Sequence, residues 1–278
     1  GSEMCIRDRA ETREYMRDHL RTRLPMLRPI RINDTSYHDV FFSSVRSIRG
    51  YKCFLVNALL NSAIDDVRLM KREAEVDRHF LDFIRQVGAP NISVTDNAKV
   101  FTSEKWKDIL RKYCIDDGLT ESYHQNGNPA ERRGGDLKVG VLKVFQFTPW
   151  APARYWCYLL EHLAFVRSFY ARKKLGWRTG RQVLRGETQD ISVIRFSWFQ
   201  PVFYYDPKKS FPSNKMLPGF FLGIDPSVGD SFSFIILPVK DTKDIPTNRL
   251  SIKPIVRSVV RSRDLTITEE DYPICDVT

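Results

Sequence analysis

The chain has 278 residues, of which 42% are hydrophobic and 28% are charged, so it can bury a core and is expected to be globular rather than disordered. Its 44 basic and 34 acidic residues leave a net charge of +10, which favours a polyanionic partner. No apolar run approaches the roughly 20 residues that a membrane-spanning helix needs, so we expect a soluble protein with no membrane partner.

The first part of the chain divides into an extension and a run of strands. Residues 1–29 are predicted to be an N-terminal extension, and residues 1–9 within it resemble an artefact of translated sequence assemblies. Short runs rich in β-formers follow at 30–32, 38–45, 51–60 and 64–69, with turn residues at Gly50 and Asn61. Consecutive strands without an intervening helix predict an antiparallel meander.

Helices and strands then alternate. A helix is predicted over 73–87 because its apolar residues recur on one helical face, and Gly88 and Pro90 end it. A buried strand over 91–95, a second helix around Trp106, a strand near 114–122 and helices around 130–147 and 152–171 follow. This order predicts an α/β fold with a mixed sheet.

The composition of the sequence changes near residue 186. Residues 191–263 are rich in proline and in short aromatic and β-branched runs, which predicts a small β-rich module. The predicted division is therefore a core over 30–186, a β-rich module over 187–265 and a tail over 266–278. The five cysteines are widely scattered, and this favours an intracellular, reducing compartment over a disulfide framework.

Three carboxylates lie at the ends of predicted elements. Asp39 lies in the first strand, Asp96 follows a short apolar strand, and Glu131 begins a helix. Oxygen ligands of this kind suit Mg²⁺ or Mn²⁺, and two such ions can promote an in-line attack on a phosphodiester. Most surface carboxylates are only solvated, so the spacing of these three in the sequence does not by itself establish a metal site.

The sequence around these carboxylates resembles a known family. Asp39 lies in HDVFFSSVRSIRGY, Asp96 in SVTDNAKVFTSEKWKDIL and Glu131 in YHQNGNPAERR, and these segments resemble the integrase catalytic core of copia-type LTR retrotransposons. The likeness continues through WAPARYWCYLLEHL and LGWRTGRQVLRGETQDIS to GFFLGIDPSVGD, and covers roughly residues 30–263.

The resemblance implies a fold and an activity. It implies an RNase H-like mixed five-stranded sheet flanked by helices, in which Asp39, Asp96 and Glu131 form a DDE triad that binds two Mg²⁺ or Mn²⁺ ions. It also implies strand transfer of element cDNA 3′ ends into double-stranded target DNA, by a homo-oligomer that acts in the nucleus. The family's usual zinc-binding module and reverse transcriptase find no match in this sequence.

Further residues are candidates for nucleic-acid contacts. The resemblance places Asn97 beside the second aspartate, and it places a polar loop near the site that contacts DNA or orients Glu131; the loop residues are His124, Gln125, Asn126 and Asn128. Residues 132–200 carry 13 basic and 4 acidic residues and are predicted to form the DNA-facing flank. The basic candidates are Arg132, Arg133, Lys138, Lys143, Arg172, Lys173 and Lys174.

Two departures from the family keep alternatives open. The interval between Asp96 and Glu131 is one residue shorter than is usual, and Gly134 and Gly135 lie in the helix of Glu131, where each costs about 1 kcal/mol relative to Ala. The chain is therefore either an active integrase core, a catalytically inactive DNA-binding remnant, or an RNase H-like nuclease that uses water.

Several single residues also have two interpretations. Asp34 is a rival first metal ligand, but its NDTS context is typical of a turn or cap. His38 and His124 are candidate proton shuttles or plain hydrogen-bonding residues. Four aromatic residues can stack on bases or pack in the core, and core packing is favoured: Tyr155, Trp156, Trp177 and Trp198.

Overall fold

A computed structural model describes residues 30–96, 98–119, 128–205, 211–212, 215–225, 233–238 and 254–256. Its first sheet has five strands, and they are β1 (Thr35–Phe42), β2 (Cys53–Leu59), β3 (Asp65–Met70), β4 (Ile92–Thr95) and β5 (Asp116–Leu119). The strand order is β3-β2-β1-β4-β5. The pairs β3–β2 and β2–β1 are antiparallel, whereas β1–β4 and β4–β5 are parallel.

Five α-helices lie in the described part of the chain. They are α1 (Val76–Gln86), α2 (Glu104–Lys112), α3 (Pro129–Phe147), α4 (Trp156–Arg167) and α5 (Gly180–Arg185). The sheet order, the strand directions and the helices after β3 and β4 define an RNase H-like fold, which confirms the predicted fold class.

Helices cover both faces of the five-stranded sheet. One cluster of buried side chains joins α1 and α2 to one face, where the rings of Phe80 and Trp106 stack with centroids 4.3 Å apart. A second cluster joins α3 and α4 to the other face, where Phe41 and Phe54 stack with centroids 5.3 Å apart. Burial of these aromatic side chains contributes about 1.5–3 kcal/mol each, and it fixes each helix to one face.

The chain before β1 differs from its prediction. The run at 30–32 is not a strand but makes one bridge between Arg31 and Ala89, and β1 begins at Thr35. Gly88 makes this bridge possible, because it has a φ of +134° and a Cβ there would approach Ile30 O to 2.7 Å.

A second sheet follows the core. Its strands are β6 (Pro201–Tyr205), β7 (Met216–Ile224), β8 (Ser233–Pro238) and β9 (Pro254–Val256), and neighbours pair antiparallel in that order. Phe221 of β7 meets His162 of α4 edge to face at 5.3 Å. Leu222 and Leu237 belong to the same buried cluster as α4. The predicted division near residue 186 therefore runs between two units that share a core, and it stays a prediction.

Within the ranges that the structure describes, no helix is both long enough and apolar enough to cross a membrane.

Candidate active site

Asp39 and Asp96 lie side by side on neighbouring strands. Tyr37 of β1 is opposite Val94 of β4 in the parallel pair. Continued two residues past this pair, the register brings Asp39 level with Asp96, one residue beyond the end of β4. Side chains alternate along a strand, so both aspartates are on the sheet face of Tyr37. This is the face that α3 and α4 cover.

Glu131 is brought to the same face by the start of α3. Asn128 is the N-cap of α3, and its Oδ1 accepts a hydrogen bond from Ala130 N at 2.9 Å. Asn128 Nδ2 also donates to His38 O at 3.4 Å, next to Asp39 in the chain. Pro129 occupies the first turn, where its missing N–H costs nothing. The N-cap thus links the first turn of α3, and with it Glu131, to β1.

Gly134 and Gly135 do not interrupt α3, which runs without a break from Pro129 to Phe147. A Cβ on Gly134 would collide with the ring of Phe41, whereas one on Gly135 would meet nothing within 4 Å. Gly134 therefore allows α3 to approach β1 closely. One turn later, Lys138 Nζ lies 4.6 Å from the centroid of the Phe41 ring.

The electrostatics show that the carboxylates act on one another. Burial raises the pKa of Asp39 to about 6, while a hydrogen bond from Val40 N lowers it. The charges of Asp96 and Glu131 raise this pKa further, and the charge of Lys138 lowers it. The three acidic groups thus lie close enough to repel, and one cation of the chain partly offsets this repulsion.

The chemistry of these groups suits a hard divalent cation. Three carboxylates supply only oxygen ligands, and a cation between them would relieve the repulsion that raises the pKa of Asp39. Asp39 Oδ1 accepts a hydrogen bond from Val40 N at 2.7 Å, and Asp96 Oδ1 accepts one from Ala98 N at 3.2 Å. A nearby backbone N–H group therefore holds one oxygen of each aspartate. Asp39, Asp96 and Glu131 all lie among the described residues, and within that part of the chain no three His, Cys, Asp or Glu side chains are arranged to hold one ion, so the triad is not arranged as a metal site in this structure.

The candidate nucleic-acid residues fall into two groups. Asn97, His124, Gln125 and Asn126 lie outside the described residues. Five predicted cations are exposed, three on α3 and two in the turn after α4, and they stay predictions: Arg132, Lys138, Lys143, Lys173 and Lys174. Asn128 is described, and its contacts fit the interpretation that it orients Glu131.

The prediction that Arg133 contacts DNA is wrong. Its side chain is 8% exposed and donates to Asp65 Oδ1 at 2.7 Å and to Ile64 O at 3.1 Å. Arg167 and Arg172 approach the other oxygen of Asp65 at 3.5 and 3.6 Å. Burial explains the change, because a buried guanidinium needs a paired carboxylate. Arg172 is only partly exposed for the same reason, although its DNA contact stays a prediction.

No signal in the sequence indicates this cluster. Asp65 begins β3, whereas Arg133 comes from α3 and Arg167 from the end of α4. The partners are separated by about 70 to 100 positions in the chain, so only the packing of the helices on the sheet brings them together.

Two rival site residues have structural roles. Asp34 is buried, and it accepts hydrogen bonds from the backbone of Thr35, Asn61 and Ser62. This agrees with the turn interpretation. His38 is buried and its Nδ1 lies 2.7 Å from Asn57 Oδ1. Burial lowers the pKa of His38 to about 4, and the Asn57 contact opposes this, so the ring is neutral near pH 7.

The four aromatic residues that could stack on bases or pack in the core divide into three that are buried and one that is exposed. Tyr155, Trp156 and Trp198 are buried in the cluster on the α4 face, which confirms core packing for them. Trp156 Nε1 donates to Val45 O at 2.8 Å. Trp177 is 71% exposed, so the core interpretation is wrong for that residue.

Comparison with known proteins gives matches among solved structures alone. No protein-family model and no curated protein sequence matches the chain. The HTLV-2 integrase catalytic core domain in complex with magnesium matches in its dimeric form at 21% identity and TM-score 0.42, covering 56% of this chain and 98% of that one. Its trimeric form matches at 23% identity and TM-score 0.43, covering 57% and 100%.

A larger assembly matches as well. A simian T-cell lymphotropic virus intasome, solved with the PP2A regulatory subunit B56 gamma, matches at 16% identity and TM-score 0.48, covering 77% of this chain and 78% of that one. We base the functional conclusion on the carboxylate site itself.

Proposed function

We propose that the chain is the catalytic core of a copia-type LTR-retrotransposon integrase, and that it joins element cDNA 3′ ends to double-stranded target DNA. The observation that carries the proposal is the placement of Asp39 in β1 beside Asp96, which directly follows the neighbouring parallel strand β4, near the start of α3 with Glu131. The charges of Asp96 and Glu131 on Asp39 support it.

In this proposal Asp39, Asp96 and Glu131 hold two Mg²⁺ or Mn²⁺ ions. Bound ions of this kind activate an attacking oxygen and stabilise a leaving oxygen in phosphodiester chemistry. The backbone N–H groups of Val40 and Ala98 hold one oxygen of each aspartate, and the side chains of the three acidic residues must rearrange to share an ion, because they are not arranged to hold one in this structure. Asn128 holds the helix that carries Glu131 against β1.

The nucleophile comes from the nucleic acid rather than from the chain. The protein's part is to bind phosphates and to exclude unproductive geometries. Lys138 is exposed on α3 and its charge reaches Asp39, so it is positioned to contact a phosphate at the site. Arg132 and Lys143 are exposed on the same helix and add to its positive charge.

Assembly and location follow from the same proposal. An integrase acts on two DNA ends, so we expect a homo-oligomer that acts in the nucleus. The HTLV-2 cores are described as dimeric and trimeric, and the simian virus protein as part of an intasome.

A strand-transfer assay tests this function. The full chain is incubated with a labelled duplex that mimics an element end, a target plasmid and Mg²⁺ or Mn²⁺. We expect joined product from the wild type and a loss of at least about 100-fold in Asp39→Asn, Asp96→Asn and Glu131→Gln, because each removes a metal-bound charge. Asp108→Asn is the matched control, since Asp108 is exposed on α2 and pairs with Arg111.

Other outcomes separate the rival functions. Cleavage of DNA without joining, lost in the same three variants, identifies a nuclease that uses water. Salt-sensitive DNA binding without any metal-dependent reaction, equal in wild type and Asp96→Asn, identifies an inactive remnant.

A further inference from the structure

The loop after α4 has a closed shape. Arg172 N donates to Arg178 O at 3.1 Å, and Trp177 N donates to Arg172 O at 3.1 Å. The two ends of the loop, residues 172–178, are therefore pinned together. Leu175 is the buried apolar residue inside the loop, and Gly176 and Trp177 both have positive φ, at 63° and 61°. The backbone turns sharply after the buried leucine.

The same loop is anchored to the core. Arg172 lies 3.6 Å from the buried carboxylate of Asp65, which also holds Arg133 of α3. Lys174 Nζ approaches Leu60 O at 3.5 Å. The loop is tied at one end to the sheet that carries the candidate active site, so its outward residues are held in a defined position.

Trp177 points outward from this anchored loop. It is 71% exposed, and a left-handed backbone is uncommon for a residue of its size. Strain of this kind costs of order 1–3 kcal/mol and clusters at functional sites.

The surroundings of Trp177 are strongly basic. Lys173, Lys174 and Arg178 of the same loop are exposed. From residue 162 to residue 186 the sequence contains seven basic residues and no acidic one. Exposed cations around an aromatic ring favour a nucleic acid over a protein partner, because the cations bind phosphates while the ring stacks on a base.

We propose that the loop 172–178 is a second nucleic-acid contact, in which Trp177 stacks on an unpaired base and Lys173 and Lys174 bind the adjacent phosphates. The ligand is a DNA end with single-stranded bases rather than a fully paired duplex, because stacking on one ring needs an exposed base face. The inference rests on the proposed function for its substrate class, but not on catalysis.

The test compares two labelled oligonucleotides, a blunt duplex and the same duplex with a short single-stranded overhang, by fluorescence anisotropy over a range of salt. Stacking on one base corresponds to roughly 5- to 150-fold in affinity. We expect Trp177→Ala to weaken overhang binding by that factor and blunt-duplex binding much less, with the salt slope unchanged. Trp177→Phe should keep most of the affinity.

Two further variants complete the design. Lys173→Gln with Lys174→Gln should flatten the salt slope by roughly 1–2 units, because two phosphate contacts are lost. Phe211→Ala is the matched control, since Phe211 is an exposed ring outside the basic stretch 132–200 and should change neither affinity. Thermal unfolding of each variant checks that the fold is kept.

The outcomes are distinct. Equal overhang affinity of wild type and Trp177→Ala overturns the inference, and so does a change in self-association without a change in DNA affinity, which would identify a protein contact. Weakened overhang binding by Trp177→Ala in a chain without strand transfer supports the inference and contradicts the proposed function. Failure of the wild type to bind either oligonucleotide at low salt contradicts both.

Discussion

The ionised carboxylate of Asp39 destabilises the folded, metal-free protein. Its pKa is raised to about 6, first by burial and then by Asp96 and Glu131. The pKa of Asp39 is higher in the folded protein than in the unfolded chain. The protonated carboxyl group therefore adds stability that is fully present below about pH 4 and is lost as the pH rises towards 6. Above that pH the ionised group destabilises the metal-free fold.

We therefore predict that Asp39→Asn is more stable than the wild type at about pH 7.5 in chelator. The shift of about two pKa units corresponds to about 3 kcal/mol, and solvent screening of this partly exposed group reduces it to about 1–2 kcal/mol. The gain should vanish near pH 4. Urea unfolding at both pH values measures it, with Asp108→Asn as control. A gain that is the same at both pH values would contradict the electrostatic account.

The role of Asp34 can be predicted from the local sequence, whereas that of Arg133 cannot. The NDTS sequence around Asp34 is a local signal that predicts a turn residue, and the backbone N–H groups of Asn61 and Ser62 donate to its carboxylate. Arg133 was predicted at a DNA surface, because α3 is basic and the sequence does not show which side of the helix meets β3. Its partner Asp65 is 68 positions away, so the buried pair depends on tertiary packing.

At the element scale, the adjacent glycines Gly134 and Gly135 of α3 have opposite roles. A Cβ on Gly134 would run into Phe41 of β1, whereas Gly135 has open space around it. We predict that Gly134→Ala destabilises the protein by about 1–3 kcal/mol through overpacking. Gly135→Ala should stabilise it by about 0.5–1 kcal/mol, because alanine is the better helix former.

Urea unfolding of the two variants checks this directly, since each is the other's control for helix propensity. Equal stabilisation by both would show that α3 does not pack against Phe41 as closely as the structure indicates.

Element boundaries were predicted less well than element types. The meander, α1 and the strand before Asp96 follow from periodicity and from turn residues. The helix predicted over 152–171 is shorter, because residues 153–155 form a 3-10 turn after Pro152 and the chain leaves the α-helix at Ser168. Ser168 Oγ donates to Phe165 O at 2.6 Å, a local bond that competes with helix continuation.

At the scale of the whole molecule, the second sheet completes the core. Phe220 stacks on Phe199 at 4.6 Å, and both belong to the buried cluster that contains most of α4. Removal of the chain after residue 186 would expose this apolar surface. Each large side chain uncovered costs about 1.5–3 kcal/mol.

We predict that a chain ending at residue 186 unfolds at least about 3 kcal/mol more easily than the full chain, or aggregates. Urea unfolding followed by circular dichroism compares the two. An unchanged, cooperative transition would instead show that the division predicted near residue 186 separates two independent domains.

The net charge of +10 is also distributed in a way that composition alone does not show. Three of the basic residues in 132–200 surround Asp65 and hold the fold together. The exposed cations of α3 and of the loop 172–178 can bind a polyanion. The charge surplus predicted the kind of partner, but the fold decides which cations reach it.

Diffraction from crystals soaked in Mn²⁺ tests the central claim most directly. The account predicts anomalous density between Asp39 and Asp96, with Glu131 completing the ligands, and its loss in Asp39→Asn. Manganese bound elsewhere, or none at these carboxylates at concentrations that saturate two-metal enzymes, would contradict the claim that they form the catalytic centre.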